Sequence, residues 1–226
     1  MIIDIESYQK YLKGFYIYDC TYGYEHGKVG LSLIEVVDEE HAEYENPFYP
    51  PEKRLISITF TLSKKYRIYG RRATGISLMT ISSGWPPSQT EYVMVSQDRD
   101  VMSYKEDVYK GVEESINILI PGSIDMFSVI IKVVRIENSV YAIGSGFRIY
   151  KRVDHQIWRE HSTYLPVPDG LLDRKVEAIT RSRFRDLSGF SESDMYAVGG
   201  TGTVYHFNGE QWKKLPFPTN KLLYTV

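Results

Sequence analysis

One unit recurs along this chain, and it constrains the fold more than any bulk property. Over 194–212, Asp-Met-Tyr-Ala-Val-Gly leads into Gly-Thr-Gly, an alternating run, the pair Asn208-Gly209 and then Trp212. Over 139–158, Ser-Val-Tyr-Ala-Ile-Gly leads into Ser-Gly, a second run, Asp154-His155 and then Trp158. A weaker copy runs over 91–105. The three align on Tyr92, Tyr141 and Tyr196, which are 49 and 55 residues apart. A period of this length marks one supersecondary unit repeated side by side.

Each unit reads as a strand meander. Gly200 and Gly202 supply the positive φ of a tight turn, and Asn208-Gly209 reads as a type I′ hairpin. Pro216 and Pro218 stop the strand that carries Trp212, and Pro166 and Pro168 stop its counterpart. A further strand precedes each unit, over 76–82, 127–135 and 183–190. Four antiparallel strands in about 50 residues is the arithmetic of a propeller blade. The expected fold is therefore an all-β β-propeller, one domain over 1–226, with blades at about 75–120, 125–168 and 182–218.

Residues 1–70 do not repeat. A helix or turn over 7–13 and strands over 15–20, 29–37, 55–62 and 66–70 are expected, supplying one or two degenerate blades. The run 222–226 reads as the first strand of a further blade, or as a strand closing a small ring. The former makes the chain the N-terminal part of a longer propeller.

The stretch 194–212 resembles the blade repeat of bacterial WD40/YVTN/BNR-like β-propellers, with a pattern D-x-Y-A-V-G-x-x-G…G-x-x-W. The resemblance covers 127–168 and 183–218, is weak over 76–116, and says little of 1–70. The chain lacks the Ser-x-Asp-x-Gly-x-Thr-Trp box of sialidases and the Gly-His and Trp-Asp pairs of eukaryotic repeats. The catalytic sets of propeller glycosidases and lactonases thus have no positions to map onto. The resemblance implies a non-catalytic, protein-binding module. More concretely, it implies a cytoplasmic immunity protein that blocks a cognate bacterial toxin, such as a nuclease effector of type VI secretion. A propeller glycoside hydrolase or lyase, and a scaffold of a phage or secretion assembly, are the alternatives.

Residue chemistry agrees with a binding role. The formal charge of −2 gives no general attraction to nucleic acid, no run is apolar enough to span a membrane, and the start of the chain lacks a signal-peptide pattern. The single Cys20 excludes an internal disulfide and reads as a small buried residue. Five scattered histidines offer no zinc spacing, and no cofactor motif is present. Trp158 and Trp212, at equivalent positions, read as packing between blades. Loop position and residue type nominate Tyr49, Trp85, Asp98, Arg99, Asp100, Tyr104, Arg148, Tyr150 and Arg152 as partner contacts, with Trp85 set in Ser-Gly-Trp-Pro-Pro as an aromatic anchor.

Overall fold

The computed structural model describes residues 3–23, 25–37, 51–73, 76–84, 91–105, 109–112, 115–116, 129–163, 165–166, 178 and 181–226. They form four antiparallel four-stranded sheets, each a simple meander. The first holds β1 (Phe15–Tyr22), β2 (Lys28–Glu35), β3 (Lys53–Thr59) and β4 (Ile68–Ala73). The second holds β5 (Met79–Gly84), β6 (Glu91–Ser96), β7 (Val101–Lys105) and β8 (Tyr109–Val112). The third holds β9 (Ile130–Ile136), β10 (Ser139–Gly144), β11 (Ile149–Asp154) and β12 (Ile157–Glu160). The fourth holds β13 (Phe184–Ser191), β14 (Asp194–Gly199), β15 (Thr203–Phe207) and β16 (Trp212–Leu215). A short helix, α1 (Ile5–Tyr11), precedes them, its N-terminus capped by the Asp4 carboxylate, which accepts from the Ser7 N–H at 2.9 Å.

The sheets stack face to face in chain order through their first strands, β1 on β5, β5 on β9 and β9 on β13. Among the described residues, β13 and β1 make no comparable contact. The strands expected in 1–70, which do not carry the repeat, form one complete four-stranded sheet over 15–73.

Three apolar layers lie between the sheets. Leu55 and Ala73 of the first sheet meet Met79, Ile81, Tyr92 and Met94 of the second. Val93, Val95 and Val101 meet Val133, Val140, Ala142 and Tyr150 of the third, with Trp158 at the margin. Tyr141, Ile143 and Ile149 meet Phe184, Met195, Ala197, Phe207 and Trp212 of the fourth. Each fully buried Val, Leu, Ile, Phe or Met among them stabilises the fold by about 1.5–3 kcal/mol. Trp158 and Trp212 both pack toward the preceding sheet, as their equivalent positions imply.

The layers correct the alignment of the weakest repeat. Tyr141 faces the following sheet, whereas Tyr92 faces the preceding one. Strand side chains alternate, so a slip of one residue exchanges the faces. Val93, not Tyr92, is the counterpart of Tyr141, and Met94 is the counterpart of Ala142.

The glycine that ends the Tyr-Ala-hydrophobic-Gly motif has a steric cause. A Cβ on Gly144 would collide with the Val129 carbonyl oxygen, and one on Gly199 with the Arg183 carbonyl oxygen. In both sheets the second strand ends hard against the start of the first. The turn at Asn208 differs from the expected type I′ hairpin. Only Gly209 has positive φ, at 91°, because the Asn208 side chain instead accepts from the N–H groups of Glu210 and Gln211 across a longer turn.

Side chains bridge the first strands where backbones cannot pair. Asp19 on β1 accepts from the Ile81 N–H on β5 at 2.9 Å. Thr80 on β5 accepts from the Val133 N–H on β9 at 2.9 Å. Lys132 on β9 donates to Asp186 on β13 at 2.6 Å. The residues 222–226 form no strand. Leu222 bridges Thr201, and the Thr225 hydroxyl and Val226 N–H donate to Asp186, which holds this segment beside β13.

Candidate protein-binding face

A meander places its first and third turns at one end and its middle turn at the other. Contacts between sheets show that the same ends coincide. The Glu192 N–H, in the first turn of the fourth sheet, donates to Glu137, in the first turn of the third. Middle turns meet the starts of following first strands, with Ile130 N–H donating to the Gln97 carbonyl and Phe147 N–H to the Ser182 carbonyl. The molecule therefore has an odd-turn end and a middle-turn end.

The odd-turn end displays apolar side chains in a way sheet turns usually do not. Tyr22 is 81% exposed, Tyr66 67% and Phe190 86%, and Phe60, Leu62 and Ile157 are exposed as well. Four of these form one corner on the first sheet. Phe60 N–H donates to the Gly27 carbonyl at 2.8 Å, which ties the β3–β4 connection to the β1–β2 hairpin that carries Tyr22. A 3-10 turn, Lys64–Tyr66, presents Tyr66, and the Arg67 guanidinium donates to the Leu62 carbonyl at 2.7 Å, fixing the loop. Lys64 and Lys65 are exposed beside it. Exposed tyrosines on a braced loop match the aromatic enrichment of interface hot spots.

The expected partner contacts distribute differently. Asp98, Arg99 and Asp100 form the middle turn of the second sheet, at the opposite end. Arg99 has φ 78°, Asp98 is exposed, and Asp100 is held by the hydroxyls of Ser96 and Ser115 at 3.2 and 3.1 Å. Asp100 thus shapes its own turn. Tyr104 lies on β7. Tyr49 and Trp85 lie outside the described residues.

Arg148, Tyr150 and Arg152 are interior, contrary to their expected place on exposed turns. The Arg148 guanidinium, 3% exposed, donates to the Gly146, Ser162, Leu165 and Pro166 carbonyls and to Glu160 at 2.8–3.3 Å. It fastens the chain leaving β12. Tyr150 packs in the layer against the second sheet. Arg152, wholly buried, lies 5.8 Å from the centre of the Trp158 ring. An alternating Arg-x-Tyr-x-Arg run resembles a solvated strand face, yet a sheet stacked on both sides has no such face. Cys20 departs the other way and is exposed, because α1 covers β2, β3 and β4 but leaves that side of β1 open.

The buried polar groups are structural. His161 lies between the third and fourth sheets, against Phe207, Tyr141 and Trp212, and accepts from the Trp212 indole at 3.3 Å. Burial first, and then the Lys151 charge, push its imidazole below the ordinary histidine range. Burial raises the Asp186 carboxyl, but Lys132, Thr225 and Val226 together outweigh it and hold it below the usual carboxylate range. Burial holds Asp19 above that range. Among the described residues, no three His, Cys, Asp or Glu side chains converge as a metal site would need.

Comparison with known proteins adds a partial relative. No family model matches the chain. A segment of 91 residues is 31% identical to "Immune protein Tsi7" of Pseudomonas aeruginosa, covering 40% of this chain and 28% of that protein. The matched segment therefore spans under a third of the relative's length. Among solved structures, "YCF48 bound to D1 peptide" overlaps 88% of this chain and 66% of its own at TM-score 0.44 and 12% identity. "YCF48 from Cyanidioschyzon merolae" overlaps 90% and 85% at TM-score 0.39 and 8% identity. The sheet order described above, rather than these overlaps, defines the fold. The chain is thus similar over part of its length to a protein named for immunity.

Proposed function

We propose that this chain is a protein-binding sheet stack that acts as an immunity protein, holding and blocking a bacterial toxin through its odd-turn end. The observation that carries the reading is the corner formed by Tyr22, Phe60, Leu62 and Tyr66. Clustered exposed apolar side chains mark a partner-binding surface where single ones do not, and here they stand on braced turns of a sheet anchored by its own core. The part-length likeness to an immunity protein supplies the class of partner.

In this reading the chain is an inhibitor without chemistry of its own. It acts in the cytoplasm, and its partner is a toxin such as a nuclease effector, whose substrate-binding surface it covers. Affinity rests on the aromatic corner, where truncating one ring at an interface centre costs about 2 kcal/mol or more.

The test is neutralisation in cells. The chain is expressed with toxins encoded beside its gene, and survival is scored. Rescue, together with a stoichiometric complex that the double variant Tyr22→Ala, Tyr66→Ala fails to form while remaining folded, supports the reading. Failure to rescue from any neighbouring toxin rejects it.

A further inference from the structure

Two cations at the start of β13 have no carboxylate partner among the described residues. Arg183, at the strand's entrance, and Arg185 flank the buried Phe184, and both are half-buried. The Nε of each is enclosed and makes no hydrogen bond among the described residues. Arg185 lies over an aromatic face, with its guanidinium 5.8 Å from the centre of the Tyr224 ring. Three other cations are answered. Arg148 has carbonyls and Glu160, Arg54 has Glu52 at 2.6 Å, and Lys132 has Asp186.

The adjacent carboxylate is not available to the pair. Asp186 Oδ1 accepts from Lys132 and the Leu187 N–H, and Oδ2 accepts from Thr225 and the Val226 N–H. Burial, then the charge of Arg185, pull Arg183 below the ordinary guanidinium range, so the two cations sense each other. Side-by-side like charges in a half-dry site repel unless an anion lies between them.

Their position leaves room for such a ligand to matter. Arg183 lies at the middle-turn end, where its carbonyl accepts from the Gly200 N–H and it bridges Ser145. This is the end opposite the aromatic corner.

We propose that Arg183 and Arg185 form an anion-binding site that takes a phosphate or carboxylate group at the middle-turn end of the first strands. A guanidinium presents parallel N–H donors that match two oxygens of such a group. The ligand is a free phosphate or an acidic side chain of a bound protein, and the proposal does not rest on the immunity reading.

The experiment follows the arginine Nε–H resonances of the full chain as inorganic phosphate, acetate or chloride is added at constant ionic strength. The expected result is a saturable shift of two Nε–H signals with phosphate. Arg185→Gln weakens this binding by about tenfold or more, and Arg185→Lys, which keeps the charge but loses the fork, recovers part of it. Response to phosphate without acetate assigns a phosphate ligand, while response to both assigns a site open to an acidic side chain. Equal shifts with chloride, or the same phosphate affinity in folded Arg183→Gln and Arg185→Gln variants, overturn the proposal.

Discussion

The first and fourth sheets share one topology and almost no sequence pattern. The fourth carries the full motif, with a glycine ending β14 against β13, a short middle turn at Gly200 and Gly202, and Trp212 on its last strand. The first has none of these. Residues 36–52 join β2 to β3, β4 carries no tryptophan, and its outward face is covered by α1 rather than by another sheet. Its close approaches are to side chains rather than to backbone, with Gly30 beneath the Tyr92 ring of the second sheet and Gly70 against Ile56 and Tyr11. The motif therefore reports how a sheet packs on the one before it, not that a sheet is present. The first sheet, which packs under α1 and has no preceding sheet among the described residues, is free to lose it, and it is this sheet that carries the aromatic corner.

Four measurements break or sharpen that contrast. The largest effect is expected for Trp212→Ala, which removes an indole from the layer between the third and fourth sheets and leaves the His161 ring without its donor. It should destabilise by about 3–5 kcal/mol in chemical denaturation. A loss under ~1 kcal/mol would mean that the motif tryptophan does not hold the sheets together.

The covering of the first sheet rests on Arg54. It donates to the Lys10 and Tyr11 carbonyls at 3.0 Å each, pairs with Glu52 and lies 3.8 Å from the centre of the Phe15 ring. Arg54→Ala should cost about 2 kcal/mol and release α1. Hydrogen exchange should then quicken in α1 before it does in β14. Uniform quickening would contradict a separately fastened helix.

The His161 interface should make stability depend on pH. The folded imidazole resists protonation, whereas the unfolded one takes a proton near the ordinary value of about 6.5. Stability is thus fully present above that value and falls as pH drops below it, toward the lower folded value. His161→Gln should flatten the slope between pH ~5 and ~7. The same slope in the variant would place the titrating group elsewhere. The smallest effect belongs to Tyr66→Ala on the exposed corner, expected within about 0.5 kcal/mol of the parent. A larger loss would make Tyr66 part of the first sheet's packing and remove it from the binding surface.

Much of the fold was legible because close packing forces recurrent residues. Ala142 and Ala197, Gly144 and Gly199, and Trp158 and Trp212 mark equivalent positions in two sheets, and strands in 1–70 are visible from alternation. The register of the second sheet was not, since Tyr92 mimics the motif tyrosine one residue away and only the packing layers reveal its face. The candidate face was harder still. Arg148 and Arg152 carry charges that sequence reading assigns to the surface, yet one is saturated by carbonyls and the other sits over a tryptophan ring. Tyr66 read as the start of a strand over 66–70, and only its place on a 3-10 turn beside the β1–β2 hairpin makes it available.

The most direct test of the central claim is hydrogen exchange on the chain in complex with a toxin from which it rescues cells in the neutralisation assay. The account predicts slowed exchange at 22–28 and 60–67, the two turns of the aromatic corner, with 96–100 at the opposite end unchanged. Protection confined to 96–100, with the corner exchanging as in the free chain, would contradict it and move the binding surface to the middle-turn end.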